Sequence, residues 1–280
     1  METVGQASVF ISADIEGCAT LVHWDEVTPG PSAAYARAGR IMTGEVNAAI
    51  EGALAAGARG VVVNDAHSSM RNLAGRDLDP RARLVSGRVK PLYMLEGIGS
   101  DGPELAFFVG YHGAIGDRDA VMGHTYSPRV IFECRLNGLV VGELTINAAL
   151  AANFGVPVAL VSGDATTLVE AERNIPWALQ VQTKVSMSYF AAECRSPQAV
   201  RDALREAAAE AVRSRDRMRL YELARPIVLE IDKMTTSQAG AISRAAGFER
   251  TAARTVSFTT GDMAEAYNAL VTLIAVGAAA

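Results

Sequence analysis

Cysteine is scarce: Cys18, Cys134 and Cys194 are the only three in 280 residues. They are odd in number, far apart and free of C-x-x-C spacing, which argues against a disulfide framework and against a thiolate zinc site. A reducing compartment fits such usage. No stripe of one charge sign exists either. The net charge is only -5 and the Lys and Arg residues are scattered, so the electrostatic footprint of a nucleic-acid binder is missing. Long apolar runs are missing too. The longest mostly apolar stretch, Ala269 to Ala280, is too short to span a bilayer and reads as the buried face of a final helix. Met1 to Ala7 is polar and acidic where a secretory signal carries a basic and then an apolar segment. The expectation is a soluble, cytoplasmic protein without nucleic-acid or membrane partners.

Several catalytic signatures are also absent: H-E-x-x-H, G-x-S-x-G and G-x-x-x-x-G-K do not occur. Gly97 to Gly102 satisfies G-x-G-x-x-G, but it follows no convincing strand and runs into Pro103, so it does not read as a nucleotide site. Cys18 could serve as a nucleophile, although a small buried thiol is the commoner fate.

What is present is an alternation of short apolar runs with longer segments of helical period, the signature of a parallel sheet covered by helices. Val9-Phe10-Ile11, Val61-Val62-Val63, Phe107-Phe108-Val109 and Val158 to Val161 read as strands buried on both faces. Between the first two, apolar residues recur every three or four positions from Ser32 to Ala56, predicting an amphipathic helix begun near Pro31 and Ser32 and ended by Gly57. Asn137-Gly138 between Val130–Leu136 and Leu139–Val141 predicts a type I′ hairpin. Beyond Asp164 the pattern reads helix (Thr167 to Arg173), strand (Gln180 to Met187), helix (Pro197 to Arg213), strand (Ile227 to Ile231), short helix, strand (Thr255 to Thr259) and a helix from Asp262, with Glu265 at capping-box spacing. The fold class is therefore α/β, a mainly parallel sheet flanked by helices, with a smaller C-terminal α+β portion. Residues 1–165 are expected to form a metal-binding core and 166–280 the remainder.

Metal-type side chains stand just after the apolar runs, where an open α/β sheet forms its binding crevice. Asp14 and Glu16 follow the first run, and two residues apart in extended chain they project to one side. His67 follows the second run, His112 the third, and Glu143 the hairpin. A His/carboxylate set without thiolate suits zinc or a similar divalent ion. Each residue also has a plainer reading: Asp14 and Glu16 as turn caps, Asn64-Asp65 as an Asx turn, Glu143 as a first-turn acid favoured by the helix dipole, and either histidine as a hydrogen-bonded structural residue. His124 reads as structural, because Val121-Met122 is a feeble strand signal.

The ordered set Ser12-Ala13-Asp14-Ile15-Glu16-Gly17, Gly39-Arg40-Ile41-Met42-Thr43, Asn64-Asp65-Ala66-His67-Ser68, Gly110-Tyr111-His112, Val121-Met122-Gly123-His124 and Val141-Gly142-Glu143-Leu144 resembles the DppA-type zinc-dependent D-aminopeptidases over nearly the whole chain. The resemblance implies two Zn2+ ions held by Asp14, Glu16, His67, His112 and Glu143, with Asp14 as the bridge, and His124 as the catalytic histidine. It further implies release of N-terminal D-amino acids from short peptides by metal-activated water, in a ring-shaped homo-oligomer, a decamer. Where such proteins often carry a second glycine after the Glu-Gly pair, this chain has Ala19 and Thr20, so the loop beside the metals is expected to differ. Two rival functions remain at this stage: a two-metal hydrolase of another amide, such as a lactam or an aminoacyl amide, and a non-catalytic metal-binding α/β protein.

Overall fold

The apolar runs become the centre of a seven-stranded sheet in the computed structural model, which describes residues 8–100 and 102–280. In chain order the elements are β1 (Ser8–Ala13), α1 (Trp24–Val27), α2 (Ala33–Ala55), β2 (Gly60–Asp65), β3 (Ala82–Val85), β4 (Leu105–Tyr111), β5 (Ile131–Leu136), β6 (Leu139–Val140) and α3 (Glu143–Asn153). There follow β7 (Val158–Asp164), α4 (Ala165–Asn174), β8 (Leu179–Ser188), β9 (Ala191–Cys194), α5 (Pro197–Arg213), β10 (Ile227–Lys233), α6 (Thr236–Ile242), β11 (Phe248–Arg250), β12 (Thr255–Thr260) and α7 (Met263–Ala278). The first sheet runs β3-β2-β1-β4-β7-β8-β9, parallel except for the β8–β9 pair. The second is antiparallel, β11-β12-β10-β5-β6.

Side-chain alternation sorts the core into two layers. Along β1, Val9 and Ile11 pack with Met42, Val46 and Leu204 of α2 and α5, whereas Phe10 packs on the opposite side with Leu144 of α3 and Tyr267 of α7. A large apolar side chain buried this completely contributes about 1.5–3 kcal/mol, which pins the strand register. Helix α2 is started by Ser32, whose hydroxyl accepts from the Tyr35 amide, and is followed by Gly57 at φ 95°. Asn137 and Gly138 adopt φ 50° and 79°, as the type I′ hairpin requires.

Two expectations need correction. Asp262 caps α7 by accepting from the Ala264 and Glu265 amides, but the Glu265 carboxylate takes the Thr260 hydroxyl, so the capping box is only half made. Asp14 lies just past the end of β1 and Glu16 in the turn that follows, so the two are not joined by extended chain. Each sheet draws strands from both sides of residue 165: β8 and β9 belong to the first, β5 and β6 to the second. The expectation for Met1–Ala7 falls outside the described residues, as does Asp101 within the glycine-rich segment.

The strand order decides where a ligand goes. From β1 the chain proceeds to β2 and β3 on one side and then returns to β4 on the other. The carboxyl ends of β1 and β4 therefore flank a topological switch point, the place where an open α/β sheet leaves a crevice.

Candidate metal centre

Two glycines let the loops leaving β1 and β4 cross closely enough to bring their side chains together. The Gly17 amide donates to Gly110 O at 2.8 Å, and a Cβ on Gly17 would lie 1.7 Å from Tyr111 O. Gly110 has φ 76°, and a Cβ there would stand 2.3 Å from Asp14 O. From β8, the buried Lys184 ammonium donates to three carbonyls of the β1 turn, those of Glu16, Cys18 (3.0 Å) and Leu21, while the Thr183 hydroxyl donates to Gly17 O at 2.6 Å. Thr20 takes φ 65°, a left-handed conformation costly for a β-branched residue. The end of β2 is braced by Lys90, whose ammonium donates to Asp65 O at 2.7 Å.

The six residues singled out from the sequence meet in this crevice, all at most 7% exposed. His67 Nδ1 lies 3.3 Å from Asp14 Oδ1 and 3.0 Å from Glu16 Oε2; its Nε2 is 2.8 Å from Val27 O. His112 Nε2 lies 3.5 Å from Asp14 Oδ2 and 3.4 Å from Glu143 Oε1, while its Nδ1 is 2.9 Å from Gly113 O. Glu143 opens α3 and accepts the Tyr126 amide at 2.6 Å. His124 Nε2 stands farther out, 3.9 Å from Glu16 Oε1 and 3.8 Å from Glu143 Oε1, with Nδ1 2.9 Å from Met122 O. Its ring stacks on that of His112 at 4.1 Å and meets the edge of Trp24 at 5.3 Å. Below lies a polar layer the sequence did not announce. Tyr111 Oη bonds Ser12 Oγ (2.8 Å) and accepts from Asn147 (3.0 Å), and Asn147 accepts from Tyr126 and Tyr267.

Each histidine thus spends one ring nitrogen on a backbone carbonyl and turns the other toward shared carboxylates. That is how metal-binding imidazoles are oriented. Three overlapping trios have ligand atoms within 4.8 Å of one another: Asp14-Glu16-His67, Asp14-His112-Glu143 and Glu16-His112-His124. The electrostatics are those of a cluster that calls for a cation. Burial, reinforced by the neighbouring Glu16 carboxylate, lifts Asp14 to about 7 against the opposing pull of His67 and His112. Burial would also raise Glu16 and Glu143, but the adjacent histidines reverse the direction and hold both below the usual range. Conversely, burial would lower His67 and His112, and the carboxylates more than offset it. His124 is lowered, by burial first and then by His112. Although His67 Nδ1 is only 3.0 Å away, Glu16 Oε2 makes no hydrogen bond, an approach without directionality that suits two ligands of one ion. The donor set therefore fits a divalent cation such as zinc.

The cluster floors a cavity of about 580 Å³, whose walls include Trp24, Tyr93, Tyr126, Ile274 and Ala278. A separate cavity of about 450 Å³, lined by Val9, Val61 and Arg83, has no His or carboxylate among its described lining residues. Cys18 is fully buried and its thiol is raised well above the usual value by burial, so it is not a nucleophile here. The segment Gly97 to Ser100 forms turns and does not open a helix.

Fold and cluster define an α/β protein whose switch-point crevice carries donors of the kind that hold divalent cations. A family model described as D-aminopeptidase matches residues 8–272, and the chain belongs to that family. It is 37% identical over 270 residues to a D-aminopeptidase of Bacillus subtilis (strain 168), covering 95% of this chain and 96% of that protein. Among solved structures it is similar to the Zn-dependent D-aminopeptidase DppA from Bacillus subtilis, described as a self-compartmentalizing protease. The TM-score is 0.92 at 34% identity, over 98% of each chain.

Proposed function

We propose that this chain is a zinc-dependent D-aminopeptidase that removes N-terminal D-amino acids from short peptides. The observation that carries the reading is the arrangement of His67, His112 and His124, each fixed through one nitrogen and aimed through the other at Asp14, Glu16 and Glu143. Asp14, Glu16 and His67 would hold one Zn2+ ion, and Asp14, His112 and Glu143 a second, with Asp14 offering one oxygen to each. When bound, such ions polarise a scissile carbonyl and make a water acidic enough to attack it near neutral pH.

His124 is the catalytic residue that neither of those two trios uses. With its Nδ1–H given to Met122 O, the neutral ring presents a lone pair at Nε2. That atom takes up a proton during attack and returns it to the departing amine. Stacking on His112 and the edge of Trp24 hold the ring in place while it does so. Trp24, Tyr93 and Tyr126 wall the cavity and exclude water from the substrate side chain.

The protein works as a homo-oligomer, a decamer, in the cytoplasm. The similarity to a self-compartmentalizing protease supports the assembly. The compartment is supported by three free thiols.

Metal analysis combined with a screen of D- and L-dipeptides tests the reading. The purified protein is expected to carry zinc and to cleave the D series; His67→Ala is expected to lose metal, and His124→Ala to keep metal while losing turnover. Full activity in His124→Ala would remove that residue from the mechanism, and zinc binding without hydrolysis of any peptide would return the chain to a metal-binding role.

A further inference from the structure

Building on the aminopeptidase reading of this site, we infer that Arg88 and Arg129 form a carboxylate subsite at the mouth of the cavity, which selects peptides whose free C-terminus lies close to the scissile bond. Charged groups segregate along the described walls. Asp14, Glu16 and Glu143 are clustered with His67 and His124, the two cationic side chains that remain are Arg88 and Arg129, and the described lining holds no other carboxylate.

The two arginines are exposed, but Arg88 does not swing freely. Its Nη1 donates to Ser68 O at 3.2 Å, and its guanidinium lies over the Tyr93 ring, 5.4 Å from the centroid. Ser68 follows His67 in the chain, so the guanidinium is anchored one residue from a member of the cluster. Arg129 enters on the segment that leads from Tyr126 into β5. Its carbonyl is held by Gln238 Nε2 at 3.0 Å, and its guanidinium has no hydrogen bond or ion pair among the described residues.

A peptide of two or three residues places a carboxylate within roughly 3.5–7 Å of chain length from the bond to be cut. The rim offers planar donor forks that match that anion. A longer chain would carry its carboxylate out of the cavity and gain nothing from the arginines.

The test compares D-alanylglycine with D-alanylglycinamide on the zinc-loaded protein. We expect kcat/KM about ten-fold higher for the free acid, equivalent to about 1.4 kcal/mol. Arg88→Met and Arg129→Met are each expected to raise KM for the acid severalfold with little change in kcat, and the double variant to bring the acid-to-amide ratio close to one. No preference in the parent protein, or an equal loss on acid and amide in the variants, would overturn the subsite. If the parent cleaves neither compound, the aminopeptidase reading fails separately, and calorimetric titration with the same two compounds decides the subsite. Tighter binding of the acid that is lost in Arg88→Met supports it, and equal affinities refute it.

Discussion

Replacing Lys184 by Met removes one ammonium and leaves three main-chain acceptors behind. The side chain is fully buried, and its donors go to the carbonyls of Glu16, Cys18 and Leu21, three points along the single turn that carries the Glu16 carboxylate. A charge-assisted hydrogen bond is worth about 1.5–3 kcal/mol, and an acceptor stranded in the interior costs about 1–3 kcal/mol. Three such losses do not add in full, because the ammonium itself is costly to bury: burial lowers Lys184 from its ordinary value. A net loss of about 3–5 kcal/mol follows, which in a chain of this size lowers the melting temperature by roughly 10 °C. Since Glu16 rides on the same turn, zinc content is expected to fall as well. Calorimetric melting and metal analysis, run on Lys184→Met beside the parent, measure both effects. A variant that melts within about 2 °C of the parent and retains all its metal would refute the idea that Lys184 holds this turn.

Two further perturbations probe the same neighbourhood. Glu45 is buried, accepts the Ala19 amide through Oε1 at 2.7 Å and leaves Oε2 without a partner; burial raises it to about 7 from 4.5. Between those pH values the folded chain holds a proton that the unfolded chain has released, so this group's contribution to stability falls as pH rises. Glu45→Gln removes that slope, and urea midpoints are expected to favour the variant over the parent by about 2–3 kcal/mol more at pH 8 than at pH 5; parallel pH profiles would contradict this. Gly17→Ala forces a Cβ against Tyr111 O and is expected to cost about 3 kcal/mol or more together with metal affinity, read by denaturation and zinc analysis; an unchanged midpoint would show that the two loops have slack.

The central strands and the long helices were legible because their signal is periodic and local. Val9-Phe10-Ile11 and Val61-Val62-Val63 cannot avoid burial on both faces, and Ser32 with Gly57 punctuates α2 at both ends. The missed elements have weak local signals. Strand β3 carries the exposed Arg83, and β9 and β11 are short, largely exposed strands at sheet edges. Read from residues alone, His124 passed for structural, because it reaches the cluster on a loop through Met122 at φ 51°, a conformation no apolar run advertises; only the family resemblance picked it out. The roles of two lysines were not legible at all. A buried lysine is rare, and only tertiary contact shows that the Lys90 and Lys184 ammonium groups brace the turns bearing His67 and Glu16.

The switch point between β1 and β4 also governs when this centre can exist. Its side chains arrive from the ends of β1, β2 and β4, from a loop and from the first turn of α3; the paired strands β1 and β2 bring Asp14, Glu16 and His67, but the Asp14-His112-Glu143 trio also needs β4 and α3. A partly collapsed chain with β1 and β2 paired therefore offers an ion one trio at most, and the whole centre has to wait until β4 and α3 have joined them, because parallel-strand assembly is an intrinsically slow, non-local event. Cation uptake is thus a late readout of correct strand assembly, and once made it draws the population toward the finished fold by mass action.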